Sequence, residues 1–103
     1  MVKKTEEQIF LDSLLNLHSV SGFEEEALAL YEEYVKPFSN VSRDSLNNCY
    51  AVLNPSSGKR ILIEAHIDEI GFQVTYIDDM GFVYIRQNGG IDCATLPGSI
   101  VDI

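Results

Sequence analysis

Positive charge is scarce in this chain: seven Lys and Arg stand against sixteen Asp and Glu, a formal net charge of −9. Nucleic acid needs a basic face for its phosphates, and anionic bilayers attract basic segments, so the balance excludes both classes of partner. No apolar run approaches the ~20 residues that span a bilayer, and no basic stretch leads into an apolar one at the start, as a secretory leader would require. The expectation is a soluble, cytoplasmic protein. Cysteine is scarce too. Cys49 and Cys93 are too few and too far apart for a disulfide framework or a zinc ribbon, and read as buried or half-buried free thiols. Neither internal repeats nor low-complexity segments occur. What is present is a 46% hydrophobic, 10% aromatic composition over 103 residues, suited to one small globular domain rather than a disordered tail.

After a short basic start, Thr5-Glu6-Glu7-Gln8 is a capping-box pattern. The helix it opens carries Phe10, Leu11, Leu14, Leu15 and Leu17 as a stripe expected to face a core. His18 falls at its end, where a cation suits the helix dipole, and takes no functional role. Ser21-Gly22-Phe23-Glu24 is a second capping box, followed at helical spacing by Ala27, Leu30, Tyr31 and Tyr34. Pro37 stops this helix, because the residue before a proline avoids the α region. Glu24, Glu25, Glu26, Glu32 and Glu33 read as its solvated face.

From Val41 the period changes. Val41–Asp44 and Cys49–Leu53 read as strands joined around Asn47-Asn48, a pair that tolerates left-handed backbone. Asn54–Gly58 is a loop. The run Ile61–Asp68 then reads as a buried strand, apolar and β-branched at its start. At its end stand His66 and Asp68, which share one side of an extended chain, at the position where open α/β sheets bind ligands. Two readings stand side by side. His66 is a hydrogen-bonded packing residue beside an acidic loop, or it is a metal ligand with a carboxylate to orient it.

Past Gly71 the pattern is all β. Phe72, Val74 and Tyr76 alternate with polar residues as in a half-buried antiparallel strand. Asp78–Gly81 turns the chain back into Phe82–Arg86, Asn88-Gly89-Gly90 breaks that partner, and Ser99–Ile103 begins another strand. The boundary falls at Gly71, dividing 1–71 from 72–103. The fold class expected is α/β: two N-terminal helices packed on a sheet that contains the 61–68 strand, followed by the first part of a small β-barrel-like module. The chain stops inside an apparent strand, an uncovered edge of the kind proteins avoid, which suggests a truncated piece.

Ala65-His66-Ile67-Asp68-Glu69-Ile70-Gly71-Phe72 resembles the glutamyl-aminopeptidase and tetrahedral-aminopeptidase family of dinuclear metallopeptidases. Val20-Ser21-Gly22-Phe23-Glu24-Glu25 resembles that family's N-terminal helix junction. Asp44-Ser45-Leu46-Asn47-Asn48 is similar to its Asp-x-x-Gly-Asn turn, with Asn47 in place of glycine. Asn88-Gly89-Gly90-Ile91-Asp92 and Leu96-Pro97-Gly98 resemble later segments. The resemblance implies that 1–71 is part of a catalytic domain and that 72–103 begins an inserted oligomerisation domain. It also implies that His66 ligates one of two metal ions, zinc or cobalt, with Asp68 orienting it. The substrate implied is a peptide that loses its N-terminal residue, and the longer protein would be a homo-oligomer. The family's other ligands and its general base have no counterpart here, so this chain alone is expected to be inactive. The alternative from another class is a non-catalytic interaction module with a vestigial His-x-Asp.

Overall fold

A computed structural model describes residues 3–102 of the chain. The outermost parts of two expectations, the basic start and the final strand, therefore lie outside the described residues at Met1, Val2 and Ile103. Helix α1 spans Glu6–Leu15 and α2 spans Glu25–Val35. Two separate antiparallel hairpins follow: β1, Asn40–Arg43, pairs with β2, Cys49–Val52, and β3, Gly71–Ile77, pairs with β4, Val83–Asn88. A single 3-10 turn, Cys93–Thr95, comes after them. Among the described residues no helix is long and apolar enough to cross a membrane.

The first capping box forms as expected. Gln8 N–H donates to Thr5 Oγ1 at 3.3 Å and Thr5 N–H donates to Gln8 Oε1 at 3.0 Å. The stripe of α1, however, is only partly covered. Phe10 stacks on Tyr34 of α2 with ring centroids 4.0 Å apart, while Leu11 and Leu15 remain exposed. The apolar core among the described residues is Ala27, Leu28 and Val35, all on α2. Helix α2 is tied to the first hairpin by Arg43. Its guanidinium donates to both Glu25 oxygens, at 2.8 and 2.7 Å, and to Glu32. These two glutamates therefore grip the sheet instead of serving only as a solvated face. Cys49 is half-buried and free, its thiol pushed up by burial and by Glu32, whereas Cys93 is exposed.

Three expectations fail. The second capping box does not form. Val20–Phe23 is a turn closed by Phe23 N–H to Val20 O at 2.8 Å, with Gly22 at φ +94°. Helix α2 starts only at Glu25, with no side-chain cap, and the Ser21 hydroxyl is turned to the Asp68 carboxylate, to which it donates a charge-assisted hydrogen bond. The 61–68 strand, and the sheet expected around it, are also absent. That segment has no strand assignment, and Ile61, Leu62 and Ile63 are 89%, 79% and 90% exposed. A strand exists only where neighbours take its backbone N–H and C=O groups, and no described strand lies alongside this one. Finally, the strand expected from Ser99 is unpaired over Ser99–Asp102; among the described residues the second half is a two-stranded hairpin, and no closed barrel is shown.

Candidate functional site

The site is built where the 19–21 segment meets 67–71. A parallel bridge joins Val20 to Glu69, with Glu69 N–H donating to Ser19 O at 2.9 Å. Ser19 is buried. Its hydroxyl donates to Ile67 O at 3.0 Å, and its N–H reaches Glu69 Oε1 at 3.3 Å. Gly71 permits this approach, since a Cβ there would stand 2.5 Å from Val20 Cγ2. Asn88, at the end of β4 and opposite Gly71 in register, donates its side-chain amide to Ser21 O at 2.9 Å. The second hairpin thus stands with both its feet on the 19–21 segment.

Within this frame His66 Nδ1 lies 2.9 Å from Asp68 Oδ1 and 2.9 Å from Asp68 O. Both partners are acceptors, so Nδ1 carries a proton, and in the neutral ring Nε2 is then the nitrogen with the free lone pair. The His66 side chain is 86% exposed and that of Asp68 34%. The other carboxylate oxygen, Oδ2, accepts from Ser21 Oγ. That hydrogen bond, then the one from His66, holds the Asp68 carboxyl below its ordinary value against the opposing effect of burial. The arrangement Ser21–Asp68–His66 is therefore a carboxylate bracing an imidazole through Nδ1, which in its neutral form leaves Nε2 able to ligate a divalent cation.

The structure brings together the two residues singled out from sequence, His66 and Asp68, and adds Ser21, Ser19 and Asn88. Sequence reasoning assigned Ser21 to a helix cap. The signal that could have redirected it lies 47 residues away, in the carboxylate to which its hydroxyl donates. His18 is not part of the cluster. Among the described residues no group of three His, Cys, Asp or Glu could hold a metal ion, so the donor set fits one ligand position and not a complete centre. An open groove of about 1030 Å³ separates α2 and β2 from the 61–68 segment. Leu28, Tyr31 and Val35 lie on its lining together with Ile63, His66 and Asp68.

The family model of the M42 glutamyl aminopeptidases matches residues 47–103. Three curated relatives, each provisionally named an aminopeptidase, are similar over most of the chain. A protein of Acetivibrio thermocellus is 42% identical over 94 residues, 85% of this chain and 28% of the relative. SgcX of Escherichia coli (strain K12) is 35% identical over 96 residues, 90% of this chain and 26% of its own length. FrvX of the same organism is 31% identical over 81 residues, covering 78% of this chain and 22% of its own length. No solved structure matches. The chain thus spans roughly a quarter of the length of the curated relatives it matches. These likenesses place it in a family of peptidases. It belongs to the M42 glutamyl aminopeptidase family.

Proposed function

We propose that this chain is the N-terminal portion of a metal-dependent aminopeptidase and that His66 is one ligand of a dinuclear centre. The observation that supports this best is the orientation of the imidazole, with Nδ1 2.9 Å from Asp68 Oδ1 and Nε2 turned away from that carboxylate. Asp68 fixes the ring and raises its basicity, as carboxylates behind metal-bound histidines do. When bound, two zinc or cobalt ions would supply an activated water and polarise the scissile carbonyl of a peptide's N-terminal residue. The chain's own contribution is to hold the ligand and the tautomer. The other ligands, the general base and the strands that would complete a barrel-like inserted domain belong to the rest of a longer, cytoplasmic, homo-oligomeric protein. A catalytic zinc normally takes three protein ligands, so the chain by itself is inactive.

Two measurements test this. The purified chain, supplied with zinc or cobalt, releases no N-terminal residue from a peptide above the buffer rate; robust metal-dependent release overturns the incompleteness. In the longer protein, His66→Ala lowers the bound-metal content, and Asp68→Asn weakens metal affinity by about 10–100-fold. Unchanged metal content in His66→Ala overturns the ligand assignment. It would favour the second reading, an interaction module, for which the exposed Val74, Tyr76, Ile77, Phe82 and Ile85 of the second hairpin offer an apolar surface.

A further inference from the structure

We infer that Ser21 is a positioning residue for the His66–Asp68 pair, setting the carboxylate so that the imidazole presents Nε2 and not Nδ1. The purpose of that setting rests on the metal-ligand reading above; the positioning itself does not. A carboxylate's terminal torsion is broad, with no sharp preference of its own. Asp68 therefore needs a second partner if Oδ1 is to stay 2.9 Å from His66 Nδ1. Oδ2 has that partner in Ser21 Oγ. Ser21 is itself held from several sides. The turn Val20–Phe23 fixes its backbone, Asn88 holds its carbonyl at 2.9 Å, and the flanking Ser19 is bonded to Ile67 and Glu69.

Every one of those tethers runs through groups other than the Ser21 hydroxyl. The segment docks without it, and α2 is not capped by it. Among the described residues the hydroxyl makes one hydrogen bond, to the carboxylate that faces the imidazole. The hydroxyl oxygen takes no N–H from the start of α2, where the sequence pattern places it as a cap. Here it lies in line behind the imidazole instead, as Ser21 Oγ to Asp68 Oδ2 and Asp68 Oδ1 to His66 Nδ1.

The test reads the ring nitrogens of ¹⁵N-labelled protein at about pH 8, above the ordinary imidazole value, with the exposed His18 as the unconstrained reference in the same spectrum. Wild-type His66 shows Nδ1 protonated and Nε2 bare. Ser21→Ala weakens that preference, which Asp68 O alone then supports, and moves towards the His18 pattern, while Ser21→Thr, which restores a hydroxyl, keeps it. The Glu69 amide, bonded to Ser19 O, reports whether the segment stays docked. An unchanged His66 pattern in Ser21→Ala overturns the inference. So does loss of the pattern in Ser21→Thr, which decides the matter if Ser21→Ala undocks the segment.

Zinc titrated into the same samples separates the two ideas. It shifts Nε2 of the wild type, and Ser21→Ala needs about ten-fold more zinc for the same shift; an equal requirement overturns a role towards metal. A tautomer change without any zinc response overturns the metal reading and upholds the positioning. A zinc response without a tautomer change does the reverse.

Discussion

Asp44 shows how much one carboxylate can organise. It accepts from Leu46 N–H at 2.9 Å and Asn48 N–H at 3.0 Å, from the Asn48 amide at 2.8 Å and from the Tyr50 hydroxyl at 3.1 Å. The Asn48 amide first, and the two backbone donors after it, hold the Asp44 carboxyl below its ordinary value of 3.8, while Tyr50 is pushed up by the same contact. A carboxyl lowered in the fold binds fewer protons there than in the unfolded chain. Its contribution is complete above the unfolded value, about 3.9, and is lost as pH falls through the lower folded one. The β1–β2 turn therefore opens in acid. Protection of the Leu46 and Asn48 amides from exchange, taken against the intrinsic rate at each pH from about pH 6 down to about pH 2, falls below the ordinary carboxylate range. In Asp44→Asn the same amides lose that pH dependence; retained dependence would assign it to another group. Asn47 fits the same picture. It sits at φ +64°, a conformation glycine and asparagine tolerate and β-branched residues do not, which accounts for asparagine at a position where the resembling motif carries glycine.

The two hairpins are joined by the same device. Asp78 repeats Asp44: its Oδ1 accepts from Met80 and Phe82 N–H at 3.0 and 2.9 Å, Tyr84 reaches Oδ2 at 3.4 Å, and Gly81 takes the left-handed position at φ +85°. Each is a three-residue loop of a type I turn followed by a left-handed residue, and each was visible in the sequence because turn chemistry is local. So was the Thr5 cap. The failures are of the opposite kind. Ser21 looked like a cap because the pattern was read over four residues, and Asp68 lay beyond that window. The Ile61–Asp68 run looked like a buried strand because periodicity records the surroundings a residue suits and not whether the neighbours are present. His66 and Asp68 were legible as a pair, but the segment that braces them was not. That bracing depends on the contact between Val20 and Gly71. Gly71→Ala puts a methyl 2.5 Å from Val20 Cγ2 and costs about 1–3 kcal/mol as overpacking, read as faster exchange of the Glu69 amide. Exchange unchanged from wild type would mean that Val20 can turn aside.

At the scale of the whole molecule the chain is open. Its radius of gyration is 18.2 Å, with extents of 60 × 43 × 23 Å, against about 13 Å for a compact domain of this length. With Ala27, Leu28 and Val35 as the buried apolar residues among those described, the helices and hairpins are held more by local bonds than by a shared interior. The apolar run Ile61–Ile63 is one consequence, and an exposed apolar patch of this kind associates. Ile61→Lys combined with Ile63→Lys reduces self-association in sedimentation velocity and leaves the far-UV helix signal unchanged. Sedimentation identical to wild type would place the adhesive surface on the β3–β4 hairpin instead. The register pair Gly71 and Asn88 carries a different consequence. Because the hairpin leaves and re-enters the site at adjacent points, everything between those points is an excursion from a fixed anchor. Residues 72–87 can be shortened, lengthened or exchanged for another ribbon that returns at the same spacing, so this stretch can diversify without disturbing the imidazole beside it.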